Sequence, residues 1–224
     1  MDDDRCGPVA ANRAALYHWF SQLFFAAPTT SDVVNMREGK ASHLLNALAA
    51  SPGANMGIQA MIDVLASDAP AVVATKLSAA HARLLDGVGG YETAPPYRSV
   101  YCSERGVLCQ QETAEMERVL RQHRLRIQDN VHEPADHLSI QLEVMAQLAL
   151  RLAETAPQNA GALPTLRREQ ADFLNAQLLS WLPAFSRRVV EMDALGFHAG
   201  LARALQAVLE QDHEYLTQAT ATPG

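Results

Sequence analysis

The sequence predicts an all-α protein, a helical bundle of about eight to ten helices at ordinary helix lengths. Alanine and leucine are abundant while aromatic residues make up only 6% of the chain, so helix formers outnumber strand formers. Apolar residues recur three or four apart in nearly every periodic segment, which is the period of a helix buried on one face. Proline and glycine clusters separate those segments. At 224 residues and 48% hydrophobic composition, the chain is long and apolar enough to bury a sizeable core.

Leu16, Phe20, Leu23 and Phe24 line a first helix that ends before Pro28. Leu44, Leu45 and Leu48 mark a short second helix, closed by Ser51-Pro52-Gly53. Ile58, Met61, Ile62 and Leu65 mark a third, stopped by Ser67-Asp68-Ala69-Pro70. Val73, Leu77, Ala80 and Leu84 continue into a fourth, which breaks at Gly87, Gly89 and Gly90. Residues 87–113 form an irregular loop, because Pro95 and Pro96 cannot occupy a helix interior. Within it Ser99-Val100-Tyr101-Cys102 reads as briefly extended and Arg105-Gly106-Val107 as a turn.

Met116, Val119 and Leu120 face inward from a helix between about Glu112 and Leu125. Residues 126–132 are polar and aperiodic, and read as a hinge. A long helix then runs from Pro134 to Glu154, with Leu138, Leu142, Met145, Leu148 and Leu152 as its stripe. Pro134 suits a first helical position, and Asp136 suits the positive end of the helix dipole. After the loop 155–161, Pro164 starts a helix carrying Leu166, Phe173, Leu174, Leu178 and Trp181, which Pro183 interrupts or restarts. A final helix begins near Gly196 with Phe197, Leu201, Leu205, Val208, Leu209 and Leu216, and is expected to fray after Gln218. The predicted division is an N-terminal helical domain, 1–130, and a C-terminal helical domain, 131–224, joined through a hinge at 126–133.

The formal net charge of −7 argues against nucleic acid as a partner, since phosphate binding needs a basic surface. A transcription regulator would need a basic recognition helix, and the arginine-richest candidate, 112–126, is of mixed charge. The acidity is concentrated after residue 130, where 6 Lys and Arg face 11 Asp and Glu, and it suits a cationic peptide or protein. Cys6, Cys102 and Cys109 are odd in number and form no Cys-x-x-Cys pair, which points to free thiols in a reducing compartment. Met1-Asp2-Asp3-Asp4 is unlike a secretory signal, and no apolar run reaches the length of a membrane span. The expectation is a soluble, cytoplasmic protein that does not insert into membranes. Arg167-Arg168 and Arg187-Arg188 read as exposed helix positions.

Glu133-Pro134-Ala135-Asp136-His137 concentrates two carboxylates and a histidine at a helix start. A cap that satisfies orphan N–H groups and a binding site are both open on spacing alone. A metal site is disfavoured, because Asp136 and His137 are adjacent and face apart. A small hydrolase or nucleotide-dependent enzyme using Asp136 and His137 is the alternative class. Against it, Ser99 lacks the glycines of Gly-x-Ser-x-Gly, and no Gly-x-x-x-x-Gly-Lys loop is present. Pro95-Pro96-Tyr97 with Tyr101 forms an aromatic–proline patch that suits either peptide capture or a loop covering the core.

Tyr97-Arg98-Ser99-Val100-Tyr101 followed by Glu133-Pro134-Ala135-Asp136-His137 resembles the TorD/DmsD family of redox-enzyme maturation chaperones. The family motifs have the forms (Pro)-Tyr/Trp-x-Ser-Val-Tyr/Trp and Glu-Pro-x-Asp-His, in this order and at this separation. Trp181-Leu182-Pro183-Ala184-Phe185 and Gly196-Phe197-His198-Ala199 look like the family's C-terminal helices, particularly on the TorD side. The resemblance implies a cytoplasmic chaperone, not an enzyme, dedicated to a molybdoenzyme of the trimethylamine N-oxide or dimethyl sulfoxide reductase type. Such a chaperone binds the client's twin-arginine signal peptide, prevents premature export and keeps the apoenzyme competent for molybdenum-cofactor insertion. By this resemblance Leu84, Leu85, Pro96, Tyr97, Ser99 and Tyr101 fall on one side of the peptide-binding region, and Glu133, Pro134, Asp136 and His137 on the other. It implies no cofactor of the chaperone's own beyond weak guanine-nucleotide binding, since the molybdenum cofactor belongs to the client. It also implies a monomer or a domain-swapped dimer.

Overall fold

A computed structural model describes residues 3–88, 90–102 and 111–221, with side chains placed between 6 and 218 of those ranges. The α-helices among the described residues are α1 (Asp3–Phe25), α2 (Thr30–Glu38), α3 (Lys40–Ala49), α4 (Asn55–Ala66), α5 (Pro70–Leu84), α6 (Arg98–Cys102), α7 (Gln111–His123), α8 (Leu138–Thr155), α9 (Leu163–Phe173), α10 (Leu182–Met192) and α11 (Phe197–Ala221). A 3-10 turn covers Ala160–Ala162, and a π-helical segment covers Leu174–Leu179. No strand occurs among the described residues, and Tyr97 and His137 form one isolated antiparallel bridge. The all-α class is as expected. None of the helices described is long and apolar enough to cross a membrane.

The helices fall into two compact units. The first takes the described residues of Met1–Gln22, Tyr97–Trp181 and Glu210–Gly224. Its centre is α8, whose Leu138, Leu142, Met145, Leu148, Ala149 and Leu152 are buried, and α8 packs on α9. Tyr17 and Phe20 of α1 and Leu216 of α11 are also buried there. Asp212 of α11 ties these elements together. Its Oδ1 accepts from Arg13 Nε at 2.5 Å, and its Oδ2 accepts from Arg13 Nη2 at 2.7 Å and Tyr17 Oη at 2.5 Å. Burial works against the Arg13 charge, but the Asp212 hydrogen bonds outweigh it and raise the guanidinium pKa. Burial also pushes the Tyr17 phenol well up, so it donates to Asp212 as the neutral hydroxyl.

The second unit takes Leu23–Pro96, as described, and Leu182–Leu209. Here α2 packs against α3 and α5, and α3 against α4. Val33, Leu45, Ile58, Met61, Leu77, Leu84, Phe185, Phe197 and Leu201 fill its core. Gly57 of α4 meets Gly200 of α11 so closely that a Cβ on either would lie 2.4 Å from the other's carbonyl oxygen. Residues 126–133 lie within the first unit, which draws on both halves of the chain.

Several local expectations are corrected. The long helix begins at Leu138 rather than Pro134: residues 134–136 form a turn, and His137 is the N-cap, its side chain accepting the Ser139 N–H. Ser99–Cys102 is not extended but belongs to the short helix α6. Helix α2 was not foreseen, because Val33 and Met36 are its only buried residues. A capping box at Thr29 and Asp32 starts it, a signal that the sequence does carry. These two short helices bring the number of α-helices among the described residues above the expected range. Arg188, expected to be exposed, instead donates from Nε to the Thr93 carbonyl at 3.0 Å and from Nη2 to that of Tyr91. Helix α11 continues past Gln218 to Ala221. Cys6 is a buried and Cys102 an exposed free thiol; Cys109 and the turn at 105–107 lie outside the described residues.

Candidate functional site

Tyr97, Ser99, Tyr101, Glu133, Pro134, Asp136 and His137 come together in the first unit. The Tyr97–His137 bridge brings the two motif segments side by side, and their rings meet edge to face with centroids 4.9 Å apart. The Tyr97 hydroxyl donates to Glu133 Oε2 at 2.5 Å. Tyr97, Glu133 and Pro134 are half-buried.

Behind this face lies a buried polar knot centred on Asp136, which is 0% exposed. Its Oδ2 accepts the Ser99 N–H at 2.9 Å, in the first turn of α6, and its Oδ1 accepts the Thr113 hydroxyl at 2.7 Å, in the first turn of α7. The carboxylate therefore satisfies an orphan backbone donor at the start of α6 and holds the Thr113 side chain at the start of α7, where the helix dipole favours negative charge. The Asp136 carbonyl accepts from Arg98 N at 3.2 Å and from Gln141 Nε2 at 3.0 Å. Gln141 Oε1 in turn accepts from Trp181 Nε1 at 3.1 Å, and Tyr101 stacks on the Trp181 indole with centroids 5.6 Å apart. Arg98 Nη1 closes the edge, donating to Glu115 at 2.8 Å and Gln177 at 3.1 Å; this hydrogen bond, with a second from Gln111, holds the Glu115 carboxyl below its usual pKa.

Asp136 is thus a cross-link between three backbone segments rather than a cap of the helix that follows it. The geometry also removes the dyad an enzyme would need: the Asp136 carboxylate is occupied by Ser99 and Thr113, and His137 Nδ1 by the Ser139 N–H. No group of three His, Cys, Asp or Glu side chains that could hold a metal ion occurs among the described residues.

Leu84, Leu85 and Pro96 belong to the second unit. Leu84 and Leu85 are buried at the end of α5, and the Leu84 carbonyl accepts the Ala94 N–H at 2.7 Å. Pro96 is buried as well. Sequence reasoning missed Thr113, Gln141 and Gln177 as site-building residues. Gln141 alone carried a signal, a polar residue one turn from Leu138 on the apolar face of α8.

A family model described as nitrate reductase delta subunit matches residues 49–187, which include both motif segments. Curated relatives named chaperone protein TorD align along nearly their full lengths. The protein of Vibrio cholerae serotype O1 strain M66-2 is 30% identical over 206 residues, 92% of each chain. That of strain El Tor Inaba N16961 is 29% identical over 211 residues, again 92% of each. The Vibrio parahaemolyticus protein is 28% identical over 209 residues, covering 91% of this chain and 94% of its own. The relatives bear the name of chaperones, not enzymes, and with the all-α fold and both motifs in contact, the chain belongs to the TorD/DmsD family of redox-enzyme maturation chaperones.

Proposed function

We propose that this chaperone acts in the cytoplasm on a molybdoenzyme of the trimethylamine N-oxide or dimethyl sulfoxide reductase type. In this reading it binds the client's twin-arginine signal peptide, delays export and keeps the apoenzyme open to molybdenum-cofactor insertion. The observation that carries the proposal is the Tyr97–Glu133 pair, half-buried and braced by the His137 ring. One Glu133 oxygen accepts from Tyr97, and the other is left for a guanidinium of the peptide, a charge-assisted bond. Half-buried Pro134 and Tyr101 add stiff apolar area for the hydrophobic part of the signal. The net charge of −7 favours approach of a cationic peptide.

Ser99, Asp136 and His137 serve this face from behind by fixing the backbones of α6 and of the turn before α8. Leu84 and Leu85 hold the end of α5, and Pro96 fixes the backbone immediately ahead of Tyr97. Calorimetric titration of the purified chain with synthetic signal peptides from its host's own molybdoenzymes tests the proposal. The expected result is a binding heat with one such peptide, weakened by added salt and by changing both arginines to lysine. No heat with any of these peptides would overturn it.

A further inference from the structure

The second unit buries two histidines against each other. His81 of α5 and His198, the second residue of α11, meet edge to face with ring centroids 5.7 Å apart. His198 is 0% exposed, and neither ring nitrogen has a hydrogen-bond partner among the described residues. His81 is buried as well, leaves Nε2 without a well-formed hydrogen bond, and places Nδ1 3.4 Å from an Asp86 carboxylate oxygen. The Phe197 ring packs edge to face on His198 at 5.5 Å. Such a pair is tolerated while neutral, because a proton on either ring adds charge to an apolar pocket and a proton on both adds repulsion.

The groups that face the pair are Asp86 in the turn after α5, Asp193 ahead of α11, and the Phe24 carbonyl at the end of α1. The Asp86 side chain is 58% exposed, so water screens its charge. The Asp193 carboxylate is occupied by the N–H groups of Leu195 and Ala199, at 3.0 and 2.9 Å. On the same elements, Arg83 pairs with Glu92 at 3.7 Å and donates to the Met192 carbonyl at 3.1 Å. None of these supplies a buried counter-charge to the rings.

We infer that His81 and His198 form a proton-sensitive latch, which holds the end of α5 and the turn at 85–88 against the start of α11 and releases them when a ring is protonated. Burial holds His198 down to about 4 from an ordinary 6.5, against the pull of Asp193 and Asp86; burial also lowers His81, against Asp86. Both values lie below those of an exposed histidine, so the latch is at full strength above about pH 6.5 and weakens as pH falls towards 4. The latch concerns folding within the second unit and does not depend on what the chaperone binds.

Hydrogen exchange of the full chain, read by mass spectrometry and corrected for intrinsic rates, tests it at about pH 7.5 and about pH 5.5. Peptides covering 77–88 and 196–205 are expected to lose about tenfold in protection at the lower pH, the ratio set by a histidine of 6.5 against one of about 4. Peptides from α8 are expected to hold theirs. His198→Leu removes one proton acceptor and is expected to shrink the difference, and His81→Leu combined with His198→Leu removes both and is expected to abolish it. Asp86→Asn, an exposed change that folding tolerates, removes a charge that pulls both histidines up, so the loss at about pH 5.5 is expected to be at least as large as in the parent chain. Equal protection at both pH values, a full loss that persists in the double histidine variant, or a smaller loss in Asp86→Asn overturns the latch.

Discussion

Asp136→Ala is expected to lower stability by about 2–4 kcal/mol, the scale of two buried donors left without an acceptor. The Ser99 N–H and the Thr113 hydroxyl both lose their partner, and the starts of α6 and α7 lose the negative charge that faces them. At this chain length that corresponds to a fall of roughly 5–15 °C in melting temperature. Asp136→Asn separates geometry from charge. Its oxygen still accepts from Ser99 N–H while its amide donates to the Thr113 oxygen, so the loss is expected to be only about 1 kcal/mol. Thermal melting followed by circular dichroism checks both. Equal losses in the two variants would mean that charge, not the hydrogen-bond pattern, matters at this position.

A larger loss, about 3–5 kcal/mol, is expected for Asp212→Ala, because it strands a guanidinium whose side chain is 10% exposed. The Tyr17 hydroxyl loses its acceptor at the same time. The remedy distinguishes a buried charge from lost packing. Arg13→Met combined with Asp212→Leu removes both charges at similar volume, and is expected to recover much of the stability. Urea titration of Arg13→Met, of Asp212→Leu and of the double variant gives the coupling energy directly. Additive losses would show that Arg13 and Asp212 act independently, contrary to the bidentate geometry.

Where the sequence was read correctly, a complete local signal existed. Helix α5 has Pro70 at its start and Val73, Leu77, Ala80 and Leu84 buried in register, so period and cap agree. At the start of α8 the signals agreed with each other and not with the chain. Pro134 and Asp136 have the residue types of a first turn, yet the Tyr97–His137 bridge holds that stretch in a turn and moves the cap to His137. A cap set by a partner many residues away leaves no trace in a local window. The same holds for the Asp136 knot, whose key partner is a backbone N–H, a group every residue except proline carries. Motif resemblance identified Tyr97, Ser99, Asp136 and His137 as belonging together. It did not separate the half-buried pair from the buried support, because burial is a property of the assembled unit.

In the proposed function Glu133 and Tyr97 recognise the peptide and Asp136 supports them, and Glu133→Gln tests that division most directly. Glutamine still accepts the Tyr97 hydroxyl, and the site is only half-buried, so melting should stay within about 0.5 kcal/mol of the parent chain. Calorimetric titration with a bound twin-arginine signal peptide should show affinity falling about tenfold, as expected when a charge-assisted bond becomes a neutral one. Unchanged affinity, with the parent chain binding the same peptide, would contradict the assignment.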